Sequence, residues 1–192
     1  MKKKDMNKQT IIQDAVAEII LAEGAVSVST TKVAKLAHIA QSNVYLYFKD
    51  KQALLDSVYQ RERNRIINTT DIAELRNHDI DIETRIRYYI EQVYDYSLAN
   101  PDSMNLIQQI KFLMGEDDGL VINDSPNNIV HELLQEAIDN QVIKKLPINL
   151  HMGMVFSTIH QHTNNIGDQQ YPESEYKFED IYQFIWDAMR IH

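Results

Sequence analysis

The stretch from residue 24 to residue 55, GAVSVSTTKVAKLAHIAQSNVYLYFKDKQALL, decides the fold. Within it a hydroxyl cluster, Ser27, Ser29, Thr30 and Thr31, stands directly ahead of Val33, Ala34, Leu36 and Ala37. A serine oxygen can accept from a backbone N–H left unpaired in the first turn of a helix, so Ser29 is the expected N-cap of a short helix over residues 30–37. His38, Ile39 and Ala40 separate this from a second short helix over residues 41–48, with Val44, Tyr45 and Phe48 on its apolar side. Lys49 and Asp50 interrupt the pattern, and Lys51 opens a longer helix through Leu54, Leu55 and Val58. Two short helices joined by a tight turn form a helix-turn-helix, whose second helix enters the DNA major groove with its N-terminal residues foremost. Here that front edge is Gln41, Ser42 and Asn43, with Tyr45 and Leu46 one turn on. Gln and Asn can each offer a donor and acceptor pair to adenine, and a hydroxyl can serve either role. Helical hairpins that contact only protein share this pattern, so the spacing alone leaves a protein-interaction module open as an alternative.

Upstream, Ile11, Ile12, Ala15, Val16, Ile19 and Ile20 recur at spacings of three and four, the mark of one buried helical face. Gly24 can take the left-handed conformation that stops such a helix. Downstream, helices are expected over residues 83–99, 103–114, from about 126, over 150–166 and over 178–191, with breaks at Asn100-Pro101, at the run 115–119, after Asp124-Ser125-Pro126, at Pro147 and at Pro172. The reading is all-α: a helix-turn-helix domain over residues 1–50 and a larger helical body over residues 51–192, the helix from Lys51 bridging the two. Gly and Pro total only nine residues of 192, too few for a turn-rich β fold when an average chain carries about 12%.

Charge sharpens the division. The whole chain carries a net charge of -9 and no cysteine, which excludes a disulfide framework and a thiolate metal site. Residues 1–65 nevertheless hold eleven Lys or Arg against seven acids, a balance of +4. The remaining residues, 66–192, carry eight bases against twenty-one acids, a balance of -13. A basic head on an acidic body suggests a polyanion-binding module joined to a separate scaffold. The lysines at positions 2, 3 and 4 read either as a solvated tail or as an arm adding non-specific affinity. No apolar signal core follows them and no span approaches a membrane helix, so a cytoplasmic, membrane-free protein is expected.

The run Val44-Tyr45-Leu46-Tyr47-Phe48-Lys49-Asp50-Lys51-Gln52-Ala53-Leu54 resembles the tyrosine, any residue, tyrosine-phenylalanine, two residues, lysine pattern of the TetR (tetracycline repressor-like) family. Val33-Ala34 and Ala37 are similar to that family's isoleucine-alanine pair and following alanine. The resemblance covers about a sixth of the chain; beyond it the body is similar only in helical build and length. It implies a ligand-responsive transcriptional regulator, most often a repressor with an activator on the same fold as the alternative, that binds a palindromic double-stranded operator as a homodimer. By it, Ser29 with Thr30 and Thr31 begins the first motif helix at a phosphate. Gln41, Ser42, Asn43 and Tyr45 fall on DNA-reading positions, and Tyr47 and Lys51 on phosphate contacts. A lysine beside free N–H groups at a helix start is independently a suitable phosphate seat. Two departures stand out. His38 replaces the turn glycine, although histidine is among the residues enriched at positive φ. Ser42-Asn43 replaces the commoner glycine-threonine, which leaves base preference open.

In the body, Tyr89, Val93 and Tyr96 share one helical face, Ile107, Ile110 and Met114 another, and Phe156 and His160 a third. These are expected either as ordinary core or as the lining of a largely apolar effector pocket with a few orienting polar groups. Phe178, Ile181, Tyr182, Ile185, Trp186 and Met189 are expected on the dimer surface, where the last two helices would form a four-helix bundle with a partner. The same residues could instead pack within one bundle. His151, His160 and His162 raise the question of a metal, but residues two apart on a helix point about 200° apart and cannot chelate together. No metal site, catalytic site or cofactor is expected, since no Gly-rich phosphate loop, nucleophile elbow or HExxH run occurs.

Overall fold

A computed structural model of the chain describes residues 6–69, 71–114 and 128–191. The lysines at 2–4, the run 115–119 and the cap expected at Asp124-Ser125-Pro126 lie outside the described residues. Among the described residues the secondary structure is helical apart from one isolated antiparallel bridge between Ile143 and Arg190. The α-helices are α1 (Met6–Glu23), α2 (Thr30–Leu36), α3 (Gln41–Tyr47), α4 (Lys51–Thr69), α5 (Ile72–Leu75), α6 (Ile82–Ala99), α7 (Pro101–Met114), α8 (Asn128–Asp139), α9 (Ile148–Gly167) and α10 (Phe178–Met189). Packing divides them into two compact units. The first takes in the chain as far as Arg65 together with α7 from Asp102, and the second holds Ile66–Pro101 and α8 to α10. The first packing unit is therefore wider than the 1–50 segment, because α4 supplies buried Leu54, Leu55 and Val58 and α7 joins from far along the chain.

In the first unit α1 buries Ile12, Ala15, Val16, Ile19 and Ile20, while Ile11 faces outward. Its end is set by Gly24, whose φ of 85° and ψ of 155° lie outside the left-handed helical basin and in a region essentially restricted to glycine. Ser29 caps α2 by accepting from the Lys32 N–H at 3.2 Å. The turn between α2 and α3 passes through His38 at φ 52°, so a histidine does take the conformation that glycine more often supplies there. Asp50 accepts from the Ala53 N–H at 2.8 Å and so caps α4. Further along α4, Glu62 is fully buried. Its carboxylate takes Arg61 Nε at 2.9 Å, Arg65 at 2.9 Å and the Ser103 hydroxyl of α7 at 2.8 Å, which is how a buried charge is made tolerable. The Gln109 side chain of α7 also accepts from the Ala25 N–H at 3.3 Å.

In the second unit α6 is central and packs against α5, α8, α9 and α10. The short α5, absent from the sequence reading, is capped by Asp71, which accepts from the Ala73 N–H at 2.9 Å. Arg85 is buried and meets Glu136 of α8 through two hydrogen bonds, at 2.5 and 3.1 Å. Arg87 pairs with Glu179 and lies over the rings of Phe178 and Tyr182, 4.9 and 4.8 Å from their centres. The His162 ring stacks between Tyr94 and Tyr171 and reaches the Tyr171 hydroxyl at 3.0 Å. Burial holds this imidazole below its ordinary pKa despite the opposing pull of Glu173.

Candidate nucleic-acid interface

The α2 and α3 helices pack against each other, with Val33, Ala34, Val44 and Phe48 buried beneath. That burial fixes which way α3 faces. Gln41, Ser42, Tyr45 and Leu46 point to solvent, whereas Asn43 and Tyr47 are half-buried. Tyr45 and Leu46 are 52% and 65% exposed, so neither belongs to the core.

The outward side chains are not equally free. The Gln41 amide donates to the Thr30 hydroxyl at 2.9 Å and to the Thr31 hydroxyl at 3.0 Å. The Thr30 hydroxyl also lies 3.2 Å from the Tyr45 hydroxyl. Four expected site residues are thereby drawn into one network joining the two motif helices, a link for which helical spacing alone gave no signal. Lys51 donates to the Val26 carbonyl at 2.6 Å, tying the start of α4 to the turn before α2. An ammonium has three donors, so this contact leaves others for an anion. Nearby Lys32 is paired with Glu23 at 2.6 Å.

The body residues expected around an effector fall in both units. Tyr89, Val93 and Tyr96 are buried on α6, and His160 is buried on α9 with Phe156 beside it, their rings stacked at 5.9 Å. Ile107 and Ile110 are buried on α7, with Met114 half-buried at its end, and these belong to the first unit. Burial holds the His160 imidazole below its usual pKa, so it is neutral near pH 7. Its Nε2 meets the Asn164 amide at 3.0 Å, while Nδ1 is buried with no partner among the described residues. The Tyr182 hydroxyl is likewise buried and unpartnered, and burial raises the pKa of the Tyr89 phenol. A separate open groove of about 410 Å³ is lined by His131, Gln135, Ile138, Lys145, Leu146 and Pro147 among others. None of the expected pocket residues lines it.

The expected dimer residues need correction. Tyr182, Ile185, Trp186 and Met189 are buried within the protomer's own second unit, and Phe178 and Ile181 are half-buried. The apolar stripe of α10 turns inward because α6 and α9 pack against it. Phe184, 67% exposed, and Ala188 occupy the outward side instead. On α9 the outward side carries Leu150, Gly153 and Ser157, and no atom lies within 4 Å of where a Cβ on Gly153 would stand.

A helix-turn-helix that buries its apolar side and presents amide, hydroxyl and aromatic side chains outward is the arrangement that DNA-binding regulators use. Comparison with known proteins makes the class specific. The family model described as bacterial regulatory proteins, tetR family, matches residues 12–58. A crystal structure of a candidate transcription regulator from Lactobacillus plantarum is 62% identical, covers 96% of this chain and 99% of its own, and superposes with a TM-score of 0.84. A fatty acid metabolism regulator protein of Bacillus subtilis (strain 168) is 26% identical over 181 residues, 89% of this chain and 90% of that one. The fatty acid degradation regulator of Bacillus halodurans shares the fold, with a TM-score of 0.60 at 21% identity over 96% of this chain and 95% of that one. The chain belongs to the TetR family of transcriptional regulators. No helix among the described residues is long and apolar enough to cross a membrane.

Proposed function

We propose that the protein is a homodimeric repressor that leaves a palindromic operator when an effector with a long apolar chain enters the body. On the DNA side, Gln41, Ser42, Asn43 and Tyr45 face base edges, while Ser29, Tyr47 and Lys51, with Thr30 and Thr31 beside them, contact phosphates. The observation that carries this reading is the outward face of α3, which exposes Gln41, Ser42, Tyr45 and Leu46, with Lys51 opening α4 shortly after its end. Gln41 acts through a braced amide held by two threonine hydroxyls, which reduces the side-chain freedom lost on binding.

The apolar effector is supported by similarity to the Bacillus subtilis fatty acid metabolism regulator across nearly the whole of both chains, and by the apolar interior around Tyr89, Val93, Tyr96 and Phe156. The unpartnered His160 Nδ1 supplies one orienting polar group there, since buried polar atoms ordinarily have partners. Arg85 does not supply a free cation for a carboxylate, because Glu136 already engages it.

The partner surface is the outward face of α9 and α10. Phe184 and Leu150 provide its apolar area, and Gly153, Ser157 and Ala188 let helices approach closely. Ligand binding then favours an arrangement whose two recognition helices no longer match successive major grooves, about 34 to 36 Å apart. A coupling of about 1 to 3 kcal/mol is typical of such linkage.

Two measurements test the reading. Replacing Phe184 with Glu is expected to give monomers by sedimentation and to abolish tight operator binding; a persistent dimer places the interface elsewhere. A long-chain fatty acid or its thioester is expected to release the operator where a short-chain counterpart does not. Equal effects of both chain lengths contradict an apolar-chain effector.

A further inference from the structure

The outward face of α3 contains two kinds of side chain. Gln41 and Tyr45 are bound to each other through Thr30 and held against α2. Ser42 and Leu46, four residues apart and so one above the other on the helix, are exposed, and among the described residues no hydrogen bond engages the Ser42 hydroxyl. Leu46 is the one large aliphatic side chain on this face. A single exposed leucine elsewhere on a protein surface needs no explanation. On a helix that enters the major groove, however, an apolar side chain is desolvated against base edges. The apolar group displayed there is the C5-methyl of thymine, and contact with it distinguishes A·T from the other pairs at that position.

We propose that Leu46 is a specificity-determining residue that reads a thymine methyl group in each operator half-site. The inference rests on α3 being the recognition helix. The braced amide of Gln41 and the hydroxyl of Tyr45 set the depth and register of the helix, and Leu46 supplies apolar readout one turn past Ser42. A leucine cannot hydrogen-bond a phosphate or a base, so its contribution is selective for the methyl and insensitive to salt.

Uracil lacks only the methyl group of thymine, which gives a direct probe. Operator sequences are first selected from random duplexes by the full-length protein, and each thymine of the half-site is then replaced in turn by uracil. Anisotropy titrations of the wild-type protein are expected to show a loss of about fourfold per half-site at one position, from the burial worth of one methyl-sized group. In Leu46→Ala the penalty at that position disappears while the remaining base preferences persist. A half-site without thymine, no uracil-sensitive position, or an equal penalty in wild type and Leu46→Ala overturns the proposal while leaving sequence-specific binding by α3 intact. Failure to select any sequence overturns this proposal and the DNA-reading role of α3 together.

Discussion

The two units solve different problems with different materials. The head, net positive over residues 1–65, keeps its informative side chains near the surface and braces them with short polar contacts such as Gln41 to Thr30 and Thr31. The acidic body keeps its polar groups inside, where Arg85 is neutralised by Glu136 and His162 is stacked between two tyrosines. The head meets a ligand of fixed, repetitive geometry, so residue types at fixed spacing suffice. In the proposed reading the body encloses an effector and pairs with a second copy, tasks set by packing, and many sequences pack alike.

The sharpest separation of the two units comes from a body mutation. Glu136→Gln leaves Arg85 buried without its charged partner, and is expected to cost about 3 kcal/mol of unfolding free energy without altering base preference in the folded fraction. Arg85 holds the Glu136 carboxyl below its ordinary value of 4.5 by hydrogen bonding and charge. The folded pKa is therefore below the unfolded one, so the contribution is complete above the unfolded value and is lost as pH falls through the folded value. Denaturant titrations should show the wild-type and variant curves converging in acid. A constant difference down to the acid transition breaks the assignment.

On the head, Lys51→Ala is expected to weaken binding to every duplex by about fivefold to tenfold and to lower the salt slope by about one. Unchanged salt dependence would reduce Lys51 to its structural contact with Val26. Smaller still, Gln41→Ala removes the brace to Thr30 and Thr31, worth about 1 kcal/mol. Its expected signature is a broadened preference at one or two operator positions with little change in affinity for unrelated DNA. A uniform loss across sequences would give Gln41 only a structural part.

The contrast also explains what could be read without coordinates. Ser29 as a cap, the positive φ of His38 and the inward Val44 follow from local rules, because capping, turn conformation and helical periodicity act within a few residues. Tyr182, Ile185, Trp186 and Met189 form an apolar stripe whose existence was legible but whose direction was not. Whether such a stripe faces a partner or its own core depends on which helices pack against it, and α6 and α9 do so here. The grouping of α7 with the head was hidden for the same reason, since the Glu62 to Ser103 bond joins residues 41 apart. The Thr30, Gln41 and Tyr45 network lay between, its members all visible and its connections set by how α2 crosses α3.

The measurement bearing most directly on the whole account is operator binding by the full-length protein, followed with a labelled selected duplex against a scrambled one while a long-chain fatty acid or its thioester is added. Retention of the selected duplex alone, lost on adding the long-chain compound and restored on removing it, is the predicted result. Equal retention of both duplexes, or a specific complex indifferent to every chain length, would contradict a head that reads sequence under the control of an apolar ligand in the body.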